Sequence, residues 1–413
     1  MQTLRQDADR IIEAAIHAAL PDTAVMKALK EISFRKDGRL ILIATGKAAW
    51  QMAKAAWDEI GDGIDCGVVV TKYDHCKGTI GNLEIYEAGH PVSDKNSYEA
   101  TAKAIDAVSG LTDKDSVLFL LSGGGSALFE KPLIDEAENQ SITKQLLKCG
   151  ASIVEMNTLR KRLSAVKGGR FAQLCSPAHV YTIVLSDIIG DPLDMIASGP
   201  AYPDSSTCDQ ALEIASRYKL QLSDKAQELL GKETPKKLDN VTTFVTGSVK
   251  QLCKAAEETA TELGYTPIFL SASLECEARE AGSLLASIAQ DHQDSNKSLA
   301  YIAGGETVVH LTGHGLGGRN QEIALSAADR IDGCTETCVF SVGSDGTDGP
   351  TAAAGGYCDQ DTKQMLRNQG IDIKAVLADN DAYHALKKCN GLVFTGATGT
   401  NVNDLTVLLI RRH

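Results

Sequence analysis

The sequence predicts an α/β protein in which parallel sheets are covered by helices, divided into more than one domain. Three observations predict this. Short apolar runs alternate with amphipathic stretches along most of the chain, as parallel strands and their crossover helices do. The 413 residues are 43% apolar, ample for packed cores but too many for one. Glycine is plentiful (37) and proline scarce (10), and the glycines gather where the apolar runs end.

Taken in order, strands are expected at Leu40–Ala44, Gly67–Thr71, Leu83–Glu87, Val117–Leu121 and Tyr181–Leu185, with helices at Asp7–Leu20 and Lys95–Val108 between them. The polar segment from Gly231 to Asn240 has no apolar periodicity and contains Pro235, so it reads as a linker. The pattern then restarts with a strand at Val241–Val245, a helix at Ser248–Leu263, a strand at Thr266–Leu270 and a helix at Glu275–Gln290. Strands at Ala300–Ala303, Val308–Leu311, Thr337–Val342 and Leu405–Ile410 complete it. The expected domains are residues 1–235 and 240–413.

Composition narrows the function classes. The 41 Lys and Arg against 54 Asp and Glu give a net charge of −13, which repels a nucleic-acid backbone. No apolar run reaches membrane-spanning length, and the N-terminus lacks a charged-then-apolar leader pattern. The eleven cysteines contain no Cys-x-x-Cys pair and are expected as buried thiols in a reducing cytoplasm. The oligomeric state stays open, a homodimer included.

Chemistry is expected in the loops that follow strands. In ATGKAA, Lys47 follows Gly46 at the start of a helix, a setting that suits an anion. In LSGGGSAL, Gly123, Gly124 and Gly125 between Ser122 and Ser126 leave bare amides that can approach phosphate or carboxylate. In NTLRKRLSAVKGGR, Asn157, Arg160, Ser164 and Lys167 form a polar stripe beside an apolar one. In LSDIIGDPLDMIASGP, Asp187 and Asp191 follow a strand, as magnesium-holding carboxylates commonly do. The remaining loops place Glu306, Arg319, Asn320, Asp345, Asp348, Thr400, Asn401 and Asp404 near glycines. Gly313, Gly315 and Gly318 satisfy the dinucleotide pattern G-x-G-x-x-G. His90 reads as structural.

Basic groups and bare backbone for anions, carboxylates for a metal, and no evident covalent nucleophile make up the set that phosphoryl transfer needs. LSGGGSAL, NTLRKRLSAVKGGR, SDIIGDPLDMIASGP, GGE, GGRNQE, SDGTDGPT and TGATGTNVND, in this order, resemble the class II glycerate 2-kinase family, which has a DUF4147-type N-terminal domain and a C-terminal MOFRL region, here about residues 298–408. The resemblance implies a Rossmann-like three-layer first domain, a smaller α/β second domain and a site in the cleft between them. It also implies ATP-dependent phosphorylation of D-glycerate to 2-phosphoglycerate, with Lys47 and Arg319 as leading catalytic candidates.

Charge and placement suggest further roles. Asp187 is a catalytic candidate; Asp191, Asp345 and Asp348 are candidates for Mg2+. Ser122, Gly123, Gly124, Gly125, Ser126, Arg160, Lys167, Glu306, Asn320, Thr400 and Asn401 are candidates for binding glycerate or ATP. An NAD(P)H-dependent hydroxypyruvate reductase, a name the family has also carried, is the alternative, and a non-catalytic anion sensor is a third reading.

Overall fold

The computed structural model describes residues 3–186 and 193–412. Asp187 and Asp191 lie outside the described residues. The chain forms two compact units: one runs from Ala24 to Ser186 and on to Thr246, and the other joins the residues up to Thr23 with those from Gly247 onward.

The first unit is built on six strands, β1 (Leu40–Thr45), β2 (Cys66–Lys72), β3 (Glu84–Ala88), β4 (Ser116–Leu121), β5 (His179–Leu185) and β6 (Val241–Gly247). Their order is β3-β2-β1-β4-β5-β6, and β1 pairs in parallel with both β2 and β4. β1 and β4 are buried along their whole length, which is why they read as unbroken apolar runs. Phe119 on β4 meets Phe129 and Phe171 with ring centroids 5.6 and 4.9 Å away. This order is the doubly wound one, and its direction of growth reverses between β1 and β4.

Two expectations change here. The polar segment 231–240 is fastened to the first unit: Glu233 pairs with Arg162 at 3.3 Å, the Thr234 hydroxyl donates to Asp204 at 2.6 Å, and Asn240 donates to the carbonyls of Ala172 and Ala178. After it, β6 joins the first sheet beside β5. The helix Ile153–Leu163 also stops before the stripe does, because Ser164 is extended (φ −113°, ψ 144°). Ser164 and Lys167 therefore do not share a helical face with Asn157 and Arg160.

The second unit has β7 (Thr266–Leu274), β8 (Leu299–Gly305), β9 (Thr337–Gly343), β10 (Gly355–Asp359), β11 (Leu392–Val393) and β12 (Asp404–Ile410), ordered β11-β10-β9-β12-β8-β7. Only β7 and β8 pair in parallel; β12 runs antiparallel between β8 and β9. The expected strand at Val308–Leu311 reduces to a single bridge between Val308 and Glu277. The N-terminal helix Leu4–Ala18 belongs to this unit: Asp7 accepts from the Tyr265 hydroxyl at 2.7 Å and pairs with Arg411 at 3.4 Å.

The first unit buries charge as well as carbon. Lys161 is 2% and Arg162 0% exposed. Lys161 Nζ lies 2.9 Å from Asp204 and 3.2 Å from Asp194, while Arg162 lies 3.6 Å from the other Asp204 oxygen and donates to the Thr158 carbonyl. Burial works against the Asp204 charge, but the Thr234 hydroxyl, the Ser206 amide and Lys161 outweigh it and hold the carboxyl below its usual range. Removing one member of such a knot leaves the others charged and uncompensated. Asp204→Ala should therefore lower the free energy of unfolding by about 3–5 kcal/mol, read as an earlier denaturant midpoint at unchanged slope. A loss below about 1 kcal/mol, the scale of an exposed pair, would contradict this.

Candidate functional site

In open parallel sheets the crevice opens at the carboxyl ends of strands where the order reverses. In the first unit that point lies between β1 and β4, and the loops ATGK and SGGGS leave those two ends side by side. The Lys47 amide donates to the Gly123 carbonyl at 2.8 Å, and the Ala48 amide donates to Ser122 Oγ at 3.1 Å. Gly46 has φ 121°, and a Cβ there would overlap Ser122, so only glycine lets the loops touch. The Lys47 side chain is exposed and its ammonium has no partner among the described residues.

Lys167 holds this loop from beneath. It is fully buried and gives its three protons to the carbonyls of Ser126 and Phe129, each at 2.9 Å, and to Glu130 at 3.0 Å. Burial pulls its pKa down from the usual lysine value, and Glu130 opposes that. With all its donors engaged, Lys167 supports the loop and has none left to grip a substrate carboxylate. Arg160 is the opposite case. It is half-buried, and among the described residues it has neither a hydrogen bond nor an ion pair. Burial depresses its pKa, and only Glu130 offsets this.

Ser126 bonds Ser198 at 3.2 Å, and the Ser198 hydroxyl donates to Asn157 at 2.9 Å. Ala197 and Ser198 have φ of 50° and 62°, a left-handed conformation that costs non-glycine residues energy and gathers at functional sites. The Ala197 methyl lies where a Cβ on Gly125 would stand. Ser198 was missed in the sequence; the ASGP run is its only trace.

In the second unit, Arg319 is the first residue of the helix Arg319–Ala328. Its Nε and Nη2 reach Asp404 at 2.6 and 3.0 Å, and its Nη1 reaches Glu306 at 2.9 Å. Among the described residues, three of its five guanidinium donors are thus engaged and two remain. Burial weighs against the Arg319 charge, but Asp404 and Glu306 more than compensate and push its pKa above the usual value.

Asp348 caps this helix. It accepts from the amides of Asn320 and Gln321 at 3.2 and 2.9 Å, and from the Asn320 side chain at 3.3 Å. Asn320 also accepts from Ser341 at 2.5 Å, so its side chain is committed inside the protein. The Thr400 hydroxyl donates to the Ala19 carbonyl at 2.8 Å, and Asn401 is exposed. Asp345 accepts from the Thr347 amide at 2.9 Å. Among the described residues no three His, Cys, Asp or Glu side chains gather to hold a metal.

The glycine loop that matches the dinucleotide pattern is spent on the protein itself. The amides of Thr312 and Gly313 donate to Asn380, and those of His314, Gly315 and Leu316 donate to Asp379 and Asp381. A Cβ on Gly313 or Gly315 would strike Asp379–Asp381. These glycines allow one loop to pack against another, and their amides are not free for a pyrophosphate.

The family described as "Domain of unknown function (DUF4147)" matches residues 7–231, and the MOFRL family matches residues 299–404. The chain is 49% identical to the D-glycerate 2-kinase of Thermotoga maritima, with 99% of each chain covered. It belongs to the glycerate 2-kinase family. A crystal structure of the Thermotoga maritima glycerate kinase superposes with a TM-score of 0.94 at 50% identity over 99% of both chains. Two family members from Agrobacterium vitis, 39% and 41% identical over 98% and 90% of this chain, bear the provisional name hydroxypyruvate reductase. Within this glycerate 2-kinase fold, no described helix is long and apolar enough to cross a membrane.

The Asp348 cap carries a pH signature. Burial pushes its carboxyl up to about 7, against the pull of the Gln321 and Asn320 amides. A folded-state value above the unfolded 3.8 means that its stabilising contribution is full below pH 3.8 and is lost as pH rises to about 7. The stability of the wild type relative to Asp348→Asn should therefore fall between pH 4.5 and 7.5, measured by denaturant unfolding. A flat difference would show an ordinary carboxylate.

Proposed function

We propose that this protein transfers the γ-phosphoryl group of ATP to the 2-hydroxyl of D-glycerate, giving 2-phospho-D-glycerate and ADP in the cytoplasm. The observation that carries this is the full-length 49% identity to the Thermotoga maritima D-glycerate 2-kinase. The paired loops at the reversal point of the first sheet support it. In the reaction the glycerate oxygen bonds to the γ-phosphorus, the bond from that phosphorus to the β–γ bridging oxygen breaks, and the hydroxyl proton leaves. The protein's main contribution to such chemistry is to position the reactants and neutralise developing charge.

Among the described residues Lys47 has no partner, which suits it to face phosphoryl oxygens, and Arg319 has two guanidinium donors unengaged. Arg160, unpaired beside the glycine loop, is suited to a carboxylate or phosphate. Asp187 remains a candidate for proton removal and Asp191 for the metal. Mg2+ usually retains several waters and binds through one or two carboxylates plus substrate phosphates. The described residues fit that mode: Asp345 Oδ1 and Asp404 Oδ1 flank Gly343, 3.3 and 3.5 Å from where its Cβ would be. Asp404 is held by Arg319, which leaves Asp345 as the described carboxylate best placed to hold the ion. Mg2+ would supply charge neutralisation on the phosphates. The reductase reading loses its support where the glycine loop packs on Asp379–Asp381.

Incubation with D-glycerate and Mg-ATP should release ADP and give a product that enolase consumes without phosphoglycerate mutase. Signal only after mutase is added would mean phosphorylation at the 3-hydroxyl; oxidation of NADH with hydroxypyruvate, and no ADP, would mean a reductase. Lys47→Ala and Arg319→Ala should each lower kcat by about 100- to 1,000-fold with modest changes in KM. A raised KM at unchanged kcat would reassign the residue to ground-state binding.

A further inference from the structure

The loops at the reversal point carry a ring of basic side chains that the sequence left unused. His90 follows β3, Lys72 ends β2, and His75 sits in the turn after it. His90 and His75 approach the crossing of the two glycine loops, and the Lys72 charge acts on His90. A Cβ on Gly124 would stand 3.1 and 3.2 Å from His90 Cδ2 and Nε2 and 3.2 Å from Lys47 Cγ, so His90 and Lys47 close over the same bare peptide. His75 Nδ1 lies 3.0 Å from the Lys47 carbonyl. Among the described residues, neither ring nitrogen of His90 and neither the Lys47 nor the Lys72 ammonium has a hydrogen-bond partner. Two described acids nearby have other partners. Glu87 accepts from the amides of His75 and Cys76 at 3.1 and 2.8 Å, and Asp94 accepts from the Tyr73 hydroxyl and the Ser97 amide at 2.6 and 3.0 Å.

We propose that His90 is a direct ligand of the substrate oxyanion that seats on the Gly46 and Gly123–Gly124 loops, and that it takes up a proton when that anion arrives. The proposal rests on the kinase reading of these loops and adds to it a residue and a proton. In the free protein, burial, then Lys47, Lys72 and His75, hold His90 below its usual value of 6.5, so the ring is neutral at pH 7. A phosphate-like group among these cations cancels the repulsion and accepts a hydrogen bond from the ring. The shared ligand chemistry is a compact oxyanion, from either a nucleotide phosphate or a hydroxy-acid carboxylate.

The test uses sulfate, which mimics phosphate but has no proton of its own near neutral pH. The His90 ring signals, identified by their absence in His90→Gln, are followed by NMR as pH varies, with and without saturating sulfate. The ring should titrate below 6.5 alone and at clearly higher pH with sulfate, while the Gly46, Gly123 and Gly124 amides shift. An unchanged titration with shifting amides, or no sulfate binding at those amides, overturns the proposal. Lys72→Met should raise the His90 titration in the free protein; no change would also count against it. In steady-state assays His90→Gln should raise KM several-fold more at pH 6 than at pH 8, for ATP if the anion is a phosphate and for D-glycerate if it is a carboxylate. A pH-independent change in KM for both substrates would mark a purely structural residue. Failure of the ADP assay overturns the kinase reading alone, because the sulfate titration does not depend on turnover.

Discussion

The first unit depends on the ammonium of Lys167 being fully buried and fully satisfied. A buried charge without partners is too costly to persist, so its three acceptors define where the chain around it must run. Two of them, the carbonyls of Ser126 and Phe129, belong to the turn that follows the three glycines. The three glycines before it have no side chain with which to hold themselves. Its shape is set from below by Lys167, from the side by Ala197 against Gly125, and from above by Lys47 on Gly123. The loop can expose bare amides because other residues carry the cost of ordering it.

Above that support the charge balance reverses. Beneath the loop every cation has an anion: Lys167 has Glu130, and Lys161 and Arg162 have Asp204. Around the loop, Lys47 and Lys72 have no ion pair among the described residues, and Arg160 feels only the charge of Glu130 without pairing to it. Folding alone gives no reason to collect unpaired cations, since each repels the others. An acidic protein with such a cluster at the end of its sheet is arranged for an anion that arrives from solution. In the second unit Arg319 is already balanced by Asp404 and Glu306, so it has less positive charge to offer than its sequence motif implies.

Much of this was legible in the sequence, and the limits have physical causes. β1 and β4 stood out because strands buried on both faces are continuously apolar. β10 did not, because it begins Gly355-Gly356, and side chains there would collide with Ser341 and Ala324; the small residues that allow close packing also erase the apolar signal. The ATGK and SGGGS loops were recognisable by composition, but the division of labour among the cations was not. Arg160 and Lys167 look equivalent in the sequence, yet one is unpaired and the other saturated, a difference decided by the end of the helix at Leu163. Gly313, Gly315 and Gly318 misled for a related reason. A glycine is needed wherever backbone must approach something closely, and spacing does not say whether that is a phosphate or another loop.

The helix Leu4–Ala18 completes the unit that is otherwise built from the last part of the chain. Asp7 meets Tyr265 and Arg411, and the end of the helix receives Thr400. A ribosome delivers that helix well before its partners, so its apolar face, with Ile11, Ile12 and Ile16, has no native surface to cover until the helix Val249–Glu262, which packs against it, has emerged. The intervening unit has all six of its strands once residue 247 has emerged. Vectorial synthesis thus imposes an order on this molecule, in which the intervening unit can fold while the helix Leu4–Ala18 waits for partners that follow it.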